Sequence, residues 1–264
     1  MHAVALLAAY NEQRFIRACV ENLICQGFAV YLIDNASTDA TTTIAADYLG
    51  RGLIGMETLP RLGQYTWANI LARKEELAME LEGDWFMHVD ADEIRLPPKG
   101  FASIVEALVS VEEAGFNAVN FLEFSFVPTL ESPHHDHSDF QDSMRSYYAF
   151  LPTFPHRLNL WRSQPDRVDL VSSGGHCVQF PGLRLYPRSF PMRHYIYLSR
   201  EHAIEKYIER RYDPQELARG WHRARAALRR EDIGLLSEKA LRRYTSDTAL
   251  DPSDPLTQHP LFAR

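Results

Sequence analysis

Three carboxylates fall within four residues at the end of an apolar run, in Asp84-Trp85-Phe86-Met87-His88-Val89-Asp90-Ala91-Asp92-Glu93. Carboxylates crowded in this way repel one another unless a cation or an ordered network neutralises them. The apolar run reads as a buried strand. In an extended backbone positions i and i+2 point to the same side, so Asp90 and Asp92 are expected to face one ion. Hard oxygen ligands suit Mg²⁺ or Mn²⁺, which commonly hold substrate phosphates as well. Taken alone, the triplet reads as a solvated acidic turn. Its place in the chain argues otherwise.

The elements before and after it alternate. Strands are expected at Ala3 to Leu7, Phe28 to Ile33, Leu53 to Leu59, Trp85 to Val89 and Ala118 to Phe126. Between them the 3.6-residue periodicity predicts helices over Asn11 to Gln26, Ser37 to Leu49, Thr66 to Leu81 and about Phe101 to Ala114. Gly27 is a C-terminal stop for the first of these. Such alternation implies an α/β fold, with a doubly wound, mainly parallel sheet and helices on both faces. Ligands collect at the carboxyl ends of strands in such sheets. Those ends carry Asn11-Glu12, Asp34-Asn35 and the Asp90–Glu93 cluster, which are expected to define one site.

After Val127 the regularity is lost. Residues 128–157 are rich in Pro, His, Ser and Asp, as in an active-site lid, and Pro133-His134-His135-Asp136-His137 reads as a solvated mobile loop. Ser199 is a plausible N-cap for a helical tail whose buried face is Ala203, Ile204, Tyr207 and Ile208. The expected organisation is a catalytic domain over 1–198, with a nucleotide-sugar half (1–127) and an acceptor or lid half (128–198). A helical extension over 199–264 follows.

Composition sets outer limits. The chain has 264 residues, 45% hydrophobic and 24% charged, ordinary for a soluble globular protein. No stretch is long and apolar enough for a membrane span, and the first residues lack the basic region of a signal peptide. Three cysteines without zinc-like spacing predict free thiols, with Cys19 and Cys25 buried, and a cytoplasmic setting. A net charge of −7 argues against nucleic acid as a partner. The charge is uneven, however: Arg200 to Arg243 carries 12 Lys+Arg against 8 Asp+Glu, the remainder 16 against 27. A basic tail on an acidic body suits peripheral contact with anionic headgroups or a phosphorylated substrate.

The ordered motifs Ala9-Tyr10-Asn11-Glu12, Leu32-Ile33-Asp34-Asn35-Ala36-Ser37-Thr38-Asp39 and His88-Val89-Asp90-Ala91-Asp92-Glu93 resemble family 2 glycosyltransferases of the GT-A fold. Gly174-Gly175-His176 and Arg193-His194-Tyr195 are similar to a bacterial D-x-D-Glu subgroup. The resemblance implies a nucleotide-diphospho-sugar donor and a Mn²⁺ or Mg²⁺ cofactor. Asp34 would accept from the base imide; Ala9, Tyr10, Asn11, Glu12, Asn35 and Ala91 would line the donor. Asp90 would lie near ribose and metal, and Asp92 would ligate the metal. His194, ahead of His176, would complete the metal sphere, and Arg200 and Lys206 would offset diphosphate charge. For the carboxylate that takes the acceptor's proton, Glu123 ranks before Glu93 and the lid acid Asp136. Processive synthases carry a Gln-x-x-Arg-Trp signature and membrane helices, and this chain has neither. Transfer of a single sugar, with inversion, to a glycan, glycolipid or other envelope precursor is therefore expected. A nucleotidyltransferase is the rival enzyme, but Tyr10-Asn11-Glu12 stands where its Gly-rich phosphate loop would be. A non-catalytic carbohydrate- or partner-binding protein on the same frame is the other rival, and the intact Asp90/Asp92 pair argues against it.

Overall fold

A computed structural model describes residues 1–61 and 63–261. In chain order its strands are β1 (Ala3–Ala9), β2 (Phe28–Asp34), β3 (Leu53–Thr58), β4 (Trp85–Asp90), β5 (Glu93–Arg95), β6 (Ala118–Phe126), β7 (Ser146–Phe150), β8 (Leu158–Arg162), β9 (Phe190–Tyr195) and β10 (Arg242–Arg243). The α-helices are α1 (Ile16–Cys25), α2 (Thr41–Ala46), α3 (Trp67–Glu80), α4 (Ile104–Glu113), α5 (Phe140–Ser143), α6 (Arg200–Ala203), α7 (Pro214–Ala218) and α8 (Arg223–Ala226). The chain forms two compact units, the first of residues 1–61, 67–122 and 155–192 and the second of the remaining described residues, so that the division falls inside β6 and inside β9.

The first unit contains the expected α/β sheet. Strands β4, β1, β2 and β3 are parallel neighbours in that order. Strand β8 runs antiparallel to β4 and to the first part of β6. Strands β1 and β4 are almost wholly buried, as near-continuous apolar runs require when helices cover both faces. Helix α1 buries Ile16, Cys19, Val20 and Leu23 on one face. Cys25 falls on the other face and is exposed, against expectation.

The first two helices begin later than periodicity predicts. The backbone N–H groups of Asn11 and Gln13 are taken by Ser37 Oγ and Asp39 Oδ2 of the β2–α2 loop, and that of Glu12 by Thr41 Oγ1 at the start of α2. Asn11 itself is left-handed, with φ of 55°, a conformation that Asn tolerates better than most residues. Two loops thus tie to each other where each was expected to start a helix.

In the second unit, the end of β6 pairs with β7 and β7 with β10, both antiparallel. Ser199 caps α6 by accepting the N–H of His202 at 3.1 Å. Ala203, Ile204 and Tyr207 are buried beside Val127, Tyr148 and Ile196. Beyond Ile208 the α-helices are only four or five residues long. Pro214 opens one of them, and Gly220, at φ of 95°, follows its end.

Candidate active site

The strand order β3-β2-β1-β4 reverses direction at β1, which is where such sheets open a crevice for ligands. Ala9, at the carboxyl end of β1, pairs with Asp34 of β2, and Ala8 pairs with Asp90 of β4. Two of the expected acids therefore flank the end of one strand. The buried Asp34 accepts the N–H of Ser37 at 3.1 and 3.3 Å, one to each oxygen. Ala36 holds a φ of 59° between them, a strained geometry for a residue with a Cβ. Asn35 donates to Leu59 O and accepts from Arg61 at 3.2 Å. The Arg61 guanidinium lies 3.5 Å from the centre of the Tyr10 ring, a cation–π contact.

The D-x-D acids are not presented by one extended segment. Strand β4 stops at Asp90, and Ala91 and Asp92 form a turn into β5. The i, i+2 argument therefore fails, because the backbone turns where the pattern assumed it ran on. Asp92 is buried, and the Asp90 side chain is about one-third exposed (34%). Burial raises the Asp90 pKa, and the neighbouring Glu93 and Asp92 carboxylates add to the rise.

Three cations oppose this acidity from beneath. Lys74 of α3 is fully buried; its Nζ lies 2.7 Å from His88 Nδ1, 2.8 Å from Val89 O and 4.0 Å from Asp90 Oδ1. Burial lowers its pKa to about 8. The same burial, with the Lys74 charge next to it, keeps His88 neutral, so His88 Nδ1 accepts and the ring proton sits on Nε2. Arg95 Nη2 donates to Glu93 Oε2 at 2.5 Å and to His88 O at 3.2 Å. Arg157 Nη1 lies 3.6 Å from Glu93 Oε1. The Asp90 N–H adds a bond to Glu93 Oε2 at 3.1 Å. Glu93 is thus held at both oxygens, a role different from a base open to an acceptor.

Among the described residues, no group of three or more His, Cys, Asp or Glu is placed to hold a metal ion. Asp90 and Asp92 supply hard oxygens, the chemistry that fits Mg²⁺ or Mn²⁺ when phosphate oxygens supply the other ligands. His176 is exposed in the first unit, its ring 4.7 Å from that of His156 and nearly parallel to it.

The remaining candidates lie in the second unit. Glu123, buried on β6, accepts from Ser125 Oγ at 2.8 Å and lies 2.7 Å from His194 Nδ1. His259 Nε2 is 4.0 Å from the same Glu123 oxygen, and its Nδ1 is 2.8 Å from the Tyr148 hydroxyl. With Glu123 ionised, His194 carries its proton on Nδ1 and Nε2 is the basic nitrogen. Arg200 donates to the carbonyls of Ile233 and Arg230, and Lys206 to that of Ile196. These bonds tie down the tail. Asp136 is exposed, but the segment around it is not simply solvated. His135 is buried, with Nδ1 2.8 Å from Ser143 Oγ and Nε2 3.0 Å from Ser132 O.

Sequence reasoning missed Lys74, Arg95, Arg157, Arg61 and His259. Lys74 left a signal: it falls in the apolar stripe of its helix with Ile70, Leu71 and Ala78, where an unpaired lysine is rarely tolerated. Arg157 and His259 left none, since their partners Glu93 and Glu123 are distant in sequence.

The sequence model described as "Glycosyl transferase family 2" matches residues 5–155. No curated protein matches the chain. Among solved structures, TarS from S. aureus aligns at 13% identity over 88% of this chain and 45% of its own, with a TM-score of 0.45. TarS 1-349 in complex with UDP aligns at 12% identity over 78% and 65%, with a TM-score of 0.46. The mannosyltransferase PcManGT from Pyrobaculum calidifontis, in complex with GDP-Man and Mn²⁺, aligns at 18% over 46% and 35%, with a TM-score of 0.36. This chain spans less than two thirds of each, and likenesses this loose carry no argument about a residue.

Proposed function

The chain belongs to glycosyl transferase family 2, and on that premise we propose that it transfers a single sugar from a nucleoside-diphosphate sugar to an acceptor hydroxyl, with inversion. It is a glycosyltransferase with a mainly parallel α/β sheet of the GT-A type. The observation that supports the reading most is the placement of Asp34 and Asp90 on either side of the carboxyl end of β1. Asp34 would take the base, with Tyr10, Asn11, Asn35 and Ala91 along the nucleotide. Asp90 and Asp92 would hold Mn²⁺ or Mg²⁺, which neutralises the leaving diphosphate. Glu93 would keep the Asp90 backbone in place through its N–H.

Of the acids expected to accept the proton, Glu93 is the least suited, because Arg95, Arg157 and the Asp90 N–H already occupy both its oxygens. Glu123 has a titratable partner in His194, and we assign the proton of the acceptor hydroxyl to that pair. The acceptor is a glycan, glycolipid or other envelope precursor. Thermal melting with a panel of nucleoside diphosphates tests the donor reading: one of them with Mn²⁺ raises the melting temperature, as any ligand of the native state must. If none does, or if Asp92→Asn leaves the response unchanged, the reading fails. NMR of the product's anomeric linkage tests inversion.

A further inference from the structure

Residues 210–230 of the second unit hold seven arginines against two acids. Both acids, Asp213 and Glu216, are buried. Asp213 spends its carboxylate on Gln64, Thr66 and the N–H of Gln215, and Glu216 faces His222 at 3.4 Å. The negative charge of this stretch is therefore turned inward. Of the arginines, Arg210 and Arg225 lie over the rings of Tyr65 and Tyr207. Arg230 pairs with Glu209, and Arg229 lies 3.5 Å from Glu231. Arg211, Arg219 and Arg223 are exposed and meet no acid among the described residues. Trp221, half-buried, stands between the last two.

We propose that this segment is a docking surface for an anionic lipid bilayer. Guanidinium groups pair with phosphate through two parallel hydrogen bonds. A tryptophan beside them suits the headgroup level, where one part of the ring is dry and the other wet. Outside this stretch the chain carries 21 Lys+Arg against 33 Asp+Glu. A flat anionic surface can meet the basic segment alone, whereas a long nucleic acid would also meet the acidic remainder. Docking stands apart from the transfer chemistry, since its test needs no sugar donor.

The test is cosedimentation of the full chain with phosphatidylcholine vesicles, with and without phosphatidylglycerol, at low and high salt. The expected result is binding to the anionic vesicles alone, lost as salt screens the charges. The variant Arg211→Gln/Arg219→Gln, whose side chains hold no other part of the fold, should partition about 25-fold less, at about fivefold per basic residue. Its melting temperature should match that of the wild type. Equal binding to neutral vesicles, no binding to either, or unchanged partitioning of the double variant would overturn the proposal. So would tight binding of a single-stranded oligonucleotide that vesicles do not displace.

Discussion

Glu93 and Glu123 are both buried carboxylates on strands, yet they are neutralised by different chemistry. Glu93 sits between Arg95 and Arg157, with Lys74 near the adjoining Asp90. Glu123 has His194 and, farther off, His259. Arginine stays charged throughout the accessible pH range, so the first group is a fixed arrangement that holds a turn in shape. An imidazole is a partner that can be neutral or charged, the kind of side chain that general acid–base chemistry uses. A carboxylate with permanent partners positions; one with titratable partners can take part in chemistry.

The largest effect should come from the acids above the fixed group. Asp92→Asn keeps the side-chain volume but removes a charged ligand. Transfer should fall by about 10²-fold or more, and Mn²⁺-dependent affinity for the nucleoside diphosphate should fall with it, as titration calorimetry would show. Full nucleotide affinity in Mn²⁺ would mean that Asp92 only shapes the turn. Glu123→Gln probes the second group: a rate loss of about 10²-fold, with donor binding intact, is the share expected of proton transfer. Near-normal turnover would assign Glu123 to packing and break the contrast.

Stability measurements sharpen the same comparison. Arg95→Met leaves Glu93 short of a buried partner and should cost about 3–5 kcal/mol in urea denaturation. The Lys74 ammonium titrates near pH 8 in the folded chain against an ordinary 10.5. Between those values the unfolded chain binds the extra proton, so the Lys74 contribution to stability rises with pH across this window and is flat below it. The full rise is about 3 kcal/mol, and Lys74→Met should abolish it when the two proteins are compared in chelator. The smallest effect belongs to the caps. Ser103→Ala and Ser199→Ala each remove a side-chain acceptor from a helix N-terminus and should cost about 1 kcal/mol, in one unit as in the other.

Much of this protein was legible in its sequence because the signals are local. Alternating apolar runs and amphipathic stretches sufficed for β1 through β4 and for β6, and strand ends marked Asp34 and Asp90, which the sheet brings to either side of the carboxyl end of β1. The Ser199 cap was legible too, from one residue and the stripe that follows it. What the tertiary structure decided are the pairings. Arg157 reaches Glu93 from 64 residues away and His194 reaches Glu123 from 71, and no periodicity encodes either distance. The late starts of α1 and α2 have the same origin, since side chains of one loop took the N–H groups of the other. Periodicity reports which face of an element is dry. Which charge meets which, in a buried place where an unpaired one costs several kcal/mol, is settled only when the chain closes on itself.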